Sequence, residues 1–331
     1  MIKPTLKRLF EFQTLSRQEA CEVLTGIATE KYNHSEIVAF ITAYMMRSVT
    51  VEELSGFRDA MQELCVKVDL SGFNTIDMCG TGGDGKNTFN ISTLASMVVA
   101  GAGVKVAKHG NYGVSSSCGS SNVMEYLGYK FTNNEAAIQR QIDKAGICFL
   151  HAPLFHPAMK VVAPMRRELG MKTFFNMLGP VLNPSFPKNQ LLGVFSLELA
   201  RLYNYIYQQT EKQYVIIHAL DGYDEVSLTG PFKAIFREGE KLWTPMDLGF
   251  KQVGQDDIFG GNTVPEAARI FTDILDGKGT PAQVNVVVAN AALAIKCVYP
   301  QRDLKTCLDE ARLSLESGAA KSVLKRLIET I

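Results

Sequence analysis

A chain of 331 residues, 46% hydrophobic and 21% charged, is long enough for two domains and too apolar for extended disorder. Thirty-four basic residues offset 34 acidic ones, so the formal net charge is zero. A neutral chain has no overall field to draw in nucleic acid or an anionic membrane, so any anionic ligand must be held by local chemistry. The segment from Met1 to Arg8 lacks the apolar stretch of a signal peptide. The most apolar run, read as Leu94 to Ala107, is broken by glycines and a lysine and is too short for a bilayer. Seven cysteines contain no CxxC pair, which argues against a zinc ribbon or a disulfide framework. The expectation is a cytoplasmic protein.

Residues 1 to about 70 predict helices over Glu11 to Thr29, Ser35 to Arg47 and Thr50 to Cys65, with apolar positions three and four apart. Thr50 and Glu53 have the spacing of a capping box. After Leu70-Ser71-Gly72 the pattern changes. Strand-like runs at Asn74 to Met78, Val104 to Ala107, Ile147 to Leu150, Leu191 to Phe195 and Tyr214 to His218 alternate with helical stretches. Those stretches are Ser92 to Gly101, Ser121 to Leu127, Asn134 to Lys144 and Leu197 to Thr210. Such alternation predicts a mostly parallel sheet covered on both faces. Lys233 to Glu238 and Lys241 to Met246 predict an appended hairpin turning at Gly239-Glu240, and Pro281 to Val298 and Leu304 to Ile331 predict further helix. Residues 158 to 188 read as a second helical interlude that completes the small domain. The expected fold class is α/β: a small N-terminal helical domain (1–70, completed by about 158–188) plus a larger α/β domain with a mostly parallel central sheet (71–157 and 189–331).

The strongest chemical signal is Asp77-Met78-Cys79-Gly80-Thr81-Gly82-Gly83-Asp84-Gly85, with four glycines in six residues between a strand and a helix. Glycines there let backbone amides approach an anion, and the helix start adds partial positive charge. The pattern is neither GxGxxG nor a Walker sequence. A plain tight turn is the alternative, and the glycine density favours a ligand loop. Asn90-Ile91-Ser92-Thr93 opens the next helix, where the hydroxyls serve equally as caps or as phosphate and metal ligands. Lys108-His109-Gly110-Asn111 ends the next strand. Open parallel sheets bind ligands at the carboxyl ends of their strands, so two such motifs point to one crevice. The stretch Ser115-Ser116-Ser117-Cys118-Gly119-Ser120-Ser121 is a third candidate cradle.

These motifs, in this order and spacing, resemble the anthranilate phosphoribosyltransferase family. His156-Pro157-Ala158-Met159-Lys160, Arg166-Arg167-Glu168-Leu169-Gly170 and Leu178-Gly179-Pro180 resemble its central segment, and the likeness spans nearly the whole chain. The glycine loop alone is shared with pyrimidine nucleoside phosphorylases; the Lys-His-Gly-Asn and Arg-Arg-Glu-Leu motifs are not. Two positions depart: the family commonly has arginine where Tyr112 stands, and Gly-Ser-Ala-Asp where Gly119-Ser120-Ser121-Asn122 stands. A compensated loss of one positive and one negative charge is the simpler account.

The resemblance implies a nucleoside phosphorylase/phosphoribosyltransferase-like fold whose domains are joined by hinges. It implies transfer of the phosphoribosyl group of phosphoribosyl pyrophosphate (PRPP) to the amine of anthranilate in tryptophan biosynthesis. It further implies a homodimer through the helical domain, Mg2+ as cofactor, and no nucleic-acid or membrane partner. The anthranilate candidates are Gly80, His109, Asn111, His156, Arg166, Gly179 and Pro180, with Arg166 gripping the carboxylate. The PRPP candidates are Gly80, Thr81, Gly82, Gly83, Asp84, Thr88, Asn90, Ser92, Thr93, Lys108, Gly110 and Ser120. Asp224 and Glu225 follow the apolar strand Tyr214 to His218, and with Ser92 they are the expected metal ligands. The alternatives are a nucleoside phosphorylase-like enzyme and a non-catalytic, nucleic-acid-binding relative.

Overall fold

The structure, a computed structural model, describes residues 2–113 and 118–330. The chain opens with helices α1 (Lys3–Phe10), α2 (Arg17–Ala28), α3 (His34–Ala43) and α4 (Val51–Glu63). It continues as β1 (Thr75–Gly80), α5 (Ile91–Gly101), β2 (Lys105–Gly110), α6 (Ser120–Tyr126), α7 (Glu135–Ala145) and β3 (Ile147–His151). Two further helices follow, α8 (Ala152–Phe155) and α9 (Met159–Leu169). Then come β4 (Asn189–Gly193), α10 (Leu197–Gln208), β5 (Gln213–Ala219), β6 (Phe232–Phe236) and β7 (Gly239–Trp243). The last helices are α11 (Val264–Leu275), α12 (Pro281–Val298), α13 (Leu304–Glu316) and α14 (Ala319–Glu329). Two compact units result: Met1–Lys67 with Ala152–Pro184, and Val68–His151 with Ser185–Ile331.

The helical unit is organised by local caps and one aromatic cluster. Ser16, Asn33 and Thr50 each form a reciprocal capping box with a glutamate three residues on, so each helix start satisfies its own amides. Phe40, Tyr44, Phe57 and Phe174 pack with ring centroids 4.6 to 6.0 Å apart. The expected helix from Glu11 to Thr29 is shorter than read. The chain is helical over Lys3–Phe10, turns through Phe12 at φ 60°, and restarts only after Ser16. Apolar spacing continues across that turn, so periodicity alone did not mark it.

The larger unit is built on a seven-stranded sheet of order β3-β2-β1-β4-β5-β6-β7. Strands β1 to β5 are parallel, while β6 and β7 run antiparallel at one edge. The hairpin turns at Arg237-Glu238, because Phe236 pairs with Gly239; the expected turn at Gly239-Glu240 is corrected accordingly. Helix α11 lies in a stretch the sequence reading left unassigned. Helix α12, rather than Leu94 to Ala107, is the one helix among the described residues long and apolar enough to cross a membrane. Its residues from Val286 to Ile295 are all buried, in the same core as α5 and the strands, so it is the central helix of this unit. Gly318, at φ 78°, separates α13 from α14.

The strand order reverses between β1 and β4, where the connections leave in opposite directions along the sheet. Ligands of open parallel sheets bind at such a switch point, outside the carboxyl ends of the strands. Gly80 and Gly193 are Cα partners at those two ends.

Candidate active site

The carboxyl end of β1 runs into a loop whose backbone suits glycine alone. Gly82, Gly83 and Gly85 have φ of 62°, 75° and 74°, in the left-handed region that side chains disfavour. Across the switch point the segment after β5 folds back over both strand ends. A Cβ on Gly80 would collide with the Asp224 carboxylate, and one on Gly193 would collide with the Asp224 carbonyl oxygen. Asp224 Oδ2 accepts the Gly82 amide at 2.8 Å, and Glu225 Oε1 accepts the Ser92 amide at 3.0 Å at the start of α5. Ser92, Asp224 and Glu225 are thus gathered at one edge, although Ser92 lies far from the pair in sequence.

The electrostatics of this edge disfavour negative charge on its carboxyls. Burial pushes the Asp224 carboxyl up to about 7, and the charge of Asp84 adds to the rise. Asp84 is also raised by burial, although its Oδ1 accepts the Lys86 amide at 3.0 Å. Glu225 is raised well above the carboxylate range by burial and then by Asp224. Three desolvated carboxyls side by side disfavour full ionisation, and a divalent ion removes that penalty. Among the described residues no group of three His, Cys, Asp or Glu side chains is arranged to hold a metal ion by itself.

The remaining donor candidates surround this edge. Thr81 Oγ1 and Asn90 Oδ1 are buried without a hydrogen-bond partner among the described residues. Each such atom costs about 1–3 kcal/mol unless a ligand supplies the bond. The Asn90 amide donates to the Cys118 carbonyl at 3.0 Å, so the acceptor oxygen is held in place. Thr93 is buried on α5, and Thr88 bridges Phe259 in antiparallel fashion. Lys108 is almost wholly buried; its ammonium donates to the Met78 carbonyl at 2.5 Å, and burial lowers its pKa against the opposing charge of Asp77. Gly110 ends β2, and Ser120 opens α6 with its hydroxyl donating to the Asn111 carbonyl at 3.2 Å. Ser115, Ser116 and Ser117 of the expected third cradle lie outside the described residues.

The acceptor candidates divide between the two units. Gly80, His109 and Asn111 belong to the α/β unit, where the His109 amide donates to Asp77 Oδ1 at 3.0 Å. His156, Arg166, Gly179 and Pro180 belong to the helical unit. His156 is buried, and a Cβ on Gly179 would meet nothing within 4 Å. Arg166, in the last turn of α9, is half-buried and donates to Asn176 Oδ1 at 3.3 Å, with Phe175 5.5 Å from its guanidinium. It belongs to none of the ion pairs among the described residues, and burial lowers its pKa. A desolvated guanidinium without a counter-ion is suited to a carboxylate ligand.

Two residues of this framework have no assigned role in the sequence analysis. Asp77, quoted there at the head of the glycine motif, is fully buried in β1 and receives the Gln190 side-chain amide at 3.2 Å as well as the His109 amide. Gly193, inside the expected strand Leu191 to Phe195, carried only the weak signal of a glycine in a strand.

Comparison with known proteins identifies relatives of both units. Residues 3–65 match the glycosyl transferase family, helical bundle domain, and residues 72–321 match the glycosyl transferase family, a/b domain. The anthranilate phosphoribosyltransferase of Flavobacterium psychrophilum is 59% identical over 326 residues, 98% of either chain. That of Bacteroides fragilis is 52% identical over 99% of either chain. Among solved structures, anthranilate phosphoribosyltransferase from Thermus thermophilus superposes with a TM-score of 0.91 at 31% identity, covering 98% of both chains. The Saccharomyces cerevisiae enzyme, solved in complex with PRPP and Mg, gives 0.90 at 27% identity, covering 98% of this chain and 96% of that one. Neither the nucleoside phosphorylase nor the nucleic-acid-binding alternative receives support from these relatives. With both halves of the fold matched and more than half of all positions identical over its full span, the chain belongs to the anthranilate phosphoribosyltransferase family.

Proposed function

We propose that this chain transfers the phosphoribosyl group of PRPP to the amine of anthranilate, giving N-(5-phosphoribosyl)anthranilate and pyrophosphate as a cytoplasmic step of tryptophan biosynthesis. The observation that carries the reading is the meeting of the glycine loop, Ser92 and the Asp224-Glu225 pair at the β1/β4 switch point. In the reaction the bond from C1 of the ribose to pyrophosphate oxygen breaks, a bond to the anthranilate nitrogen forms, and that nitrogen loses a proton. An aniline-type amine is neutral at pH 7 and needs no activated serine or cysteine. Catalysis therefore rests on positioning and on stabilising charge as pyrophosphate departs.

The amides from Gly80 to Gly83, with Asp84, Thr88, Asn90, Ser92, Thr93, Gly110 and Ser120, are assigned to PRPP. Thr81 Oγ1 and Asn90 Oδ1 gain partners on its hydroxyl groups. Lys108, whose ammonium donates to the Met78 carbonyl, is assigned to supply positive charge. Asp224, Glu225 and the Ser92 hydroxyl are assigned to Mg2+, which when bound neutralises the leaving pyrophosphate. Arg166 is assigned to the anthranilate carboxylate, His109, Asn111 and His156 to the acceptor's surroundings, and Gly179-Pro180 to its wall. The yeast relative solved with 4-fluoroanthranilate supports an acceptor of this class. A homodimer formed through the helical domain completes the reading.

The test is incubation of the purified chain with magnesium, PRPP and anthranilate, following pyrophosphate and anthranilate together. Stoichiometric consumption is expected. Pyrophosphate release that ignores anthranilate would overturn the acceptor assignment.

A further inference from the structure

His151 has no part in the mechanism above, yet its imidazole is closely enclosed at the sheet edge. It ends β3 as the Cα partner of Gly110 and is 5% exposed. Its Nδ1 lies 2.8 Å from the hydroxyl of fully buried Ser121. Phe131 stacks on the ring with centroids 4.4 Å apart and 21° between planes, and Tyr112 meets it edge-on at 4.8 Å and 75°. Burial lowers the His151 pKa, against the charge of Glu125, which favours the neutral ring. In the Nε2-protonated tautomer, Nδ1 accepts the Ser121 hydroxyl proton.

Two of the three neighbours of this ring adjoin site candidates. Tyr112 follows Asn111, and its amide donates to Asn111 Oδ1 at 2.8 Å. Ser121 follows Ser120; the Ser121 amide and the Ser120 hydroxyl both donate to the Asn111 carbonyl, at 3.0 and 3.2 Å. Asn122 Oδ1 accepts the Gly113 and Gly119 amides, each at 3.0 Å. One imidazole therefore contacts both Tyr112, next to Asn111, and Ser121, next to Ser120. Phenylalanine would fill the same space, but it would leave the buried Ser121 hydroxyl without that partner. The polar bond is what packing does not explain.

We infer that His151, acting through Ser121 and Tyr112, is a positioning residue for PRPP binding, because it fixes where Ser120 presents its hydroxyl and amide. The inference rests on the assignment of Ser120 to PRPP. Steady-state kinetics of His151→Phe, Ser121→Ala, Tyr112→Leu and Ser120→Ala, beside thermal unfolding, test it. His151→Phe and Ser121→Ala should each raise the PRPP Michaelis constant about tenfold, the equivalent of one buried hydrogen bond, with kcat nearly unchanged. The double variant should be no worse than the weaker single variant, since both remove one contact. Tyr112→Leu, at an exposed position, should raise the same constant by a smaller factor without threatening the fold. A lower melting temperature with an unchanged PRPP constant in all three variants would make the cluster structural and overturn the inference, as would additive effects of His151→Phe and Ser121→Ala. If Ser120→Ala leaves the PRPP constant untouched, the donor assignment itself fails and the inference with it. If Ser120→Ala raises the constant while His151→Phe does not, the positioning role alone fails.

Discussion

The carbonyl of Asp224 lies directly over Gly193, so close that no side chain fits between them. Gly193 ends β4 as the Cα partner of Gly80, whose missing side chain makes room for the Asp224 carboxylate. Two glycines on adjacent strands thus set the height at which the acidic pair crosses the switch point. From that height Asp224 reaches the Gly82 amide and Glu225 reaches the Ser92 amide.

Gly193→Ala should therefore act on the proposed metal site through Asp224. Overpacking of this kind costs about 1–3 kcal/mol in stability. The displaced Asp224 should raise the magnesium needed for half-maximal activity much more than the anthranilate Michaelis constant. Gly72→Ala is the control, since its Cβ would meet nothing within 4 Å. Magnesium titrations of both variants decide the matter; equal behaviour would mean that the loop absorbs the clash.

Replacing Asp224 and Glu225 with Asn and Gln keeps size and polarity while removing both charges. The double variant should fold, lose most activity, and require far more magnesium for the remainder. Because the three carboxyls oppose one another in the absence of a cation, it should also be no less stable than the parent without metal. Unfolding curves with and without magnesium, alongside activity, would expose an unchanged metal dependence.

Arg166→Ala should separate the two substrates. Losing a charged hydrogen-bond partner costs about 2 kcal/mol at a half-buried site, or roughly 30-fold in the anthranilate Michaelis constant. The PRPP constant should move little. Equal changes in both constants would reassign Arg166 to folding of the helical unit, through Asn176 and Phe175.

The helical unit carries its own pH signature. Glu53 is fully buried and accepts from Arg47 at 2.5 and 2.9 Å, the Tyr44 hydroxyl at 2.9 Å and the Leu15 amide at 2.9 Å. Burial works against its charge, but these hydrogen bonds, led by Arg47, outweigh it and hold the pKa below the ordinary 4.5. A depressed pKa contributes stability that is present above the unfolded value and lost as pH falls through the folded one. Glu53→Gln should destabilise by about 3 kcal/mol at pH 7, and the gap should close in acid below pH 4.5. Denaturant midpoints at neutral and acid pH check this; a gap that stays constant would mean the interaction does not depend on ionisation.

How much of this was legible beforehand follows from the range of each interaction. The capping box of Thr50 and Glu53 could be read because both partners lie within one turn. The parallel sheet could be read because alternating strands and helices write their periods locally, and the glycine loop because three positive φ values require glycine residue by residue. The break at Phe12 was hidden, since apolar spacing runs on while the backbone reverses. Asp224 and Glu225 were visible as an acidic pair after a strand. Their seating over Gly80 and Gly193 was not, because it joins segments far apart in sequence. Ser121 is the clearest division: its sequence neighbours suggest an anion cradle, while its hydroxyl turns to His151. Composition and local spacing nominated the residues proposed to carry the chemistry. Only the tertiary structure decided which of them face one another, because burial, strand order and close backbone approach are properties of the assembled chain.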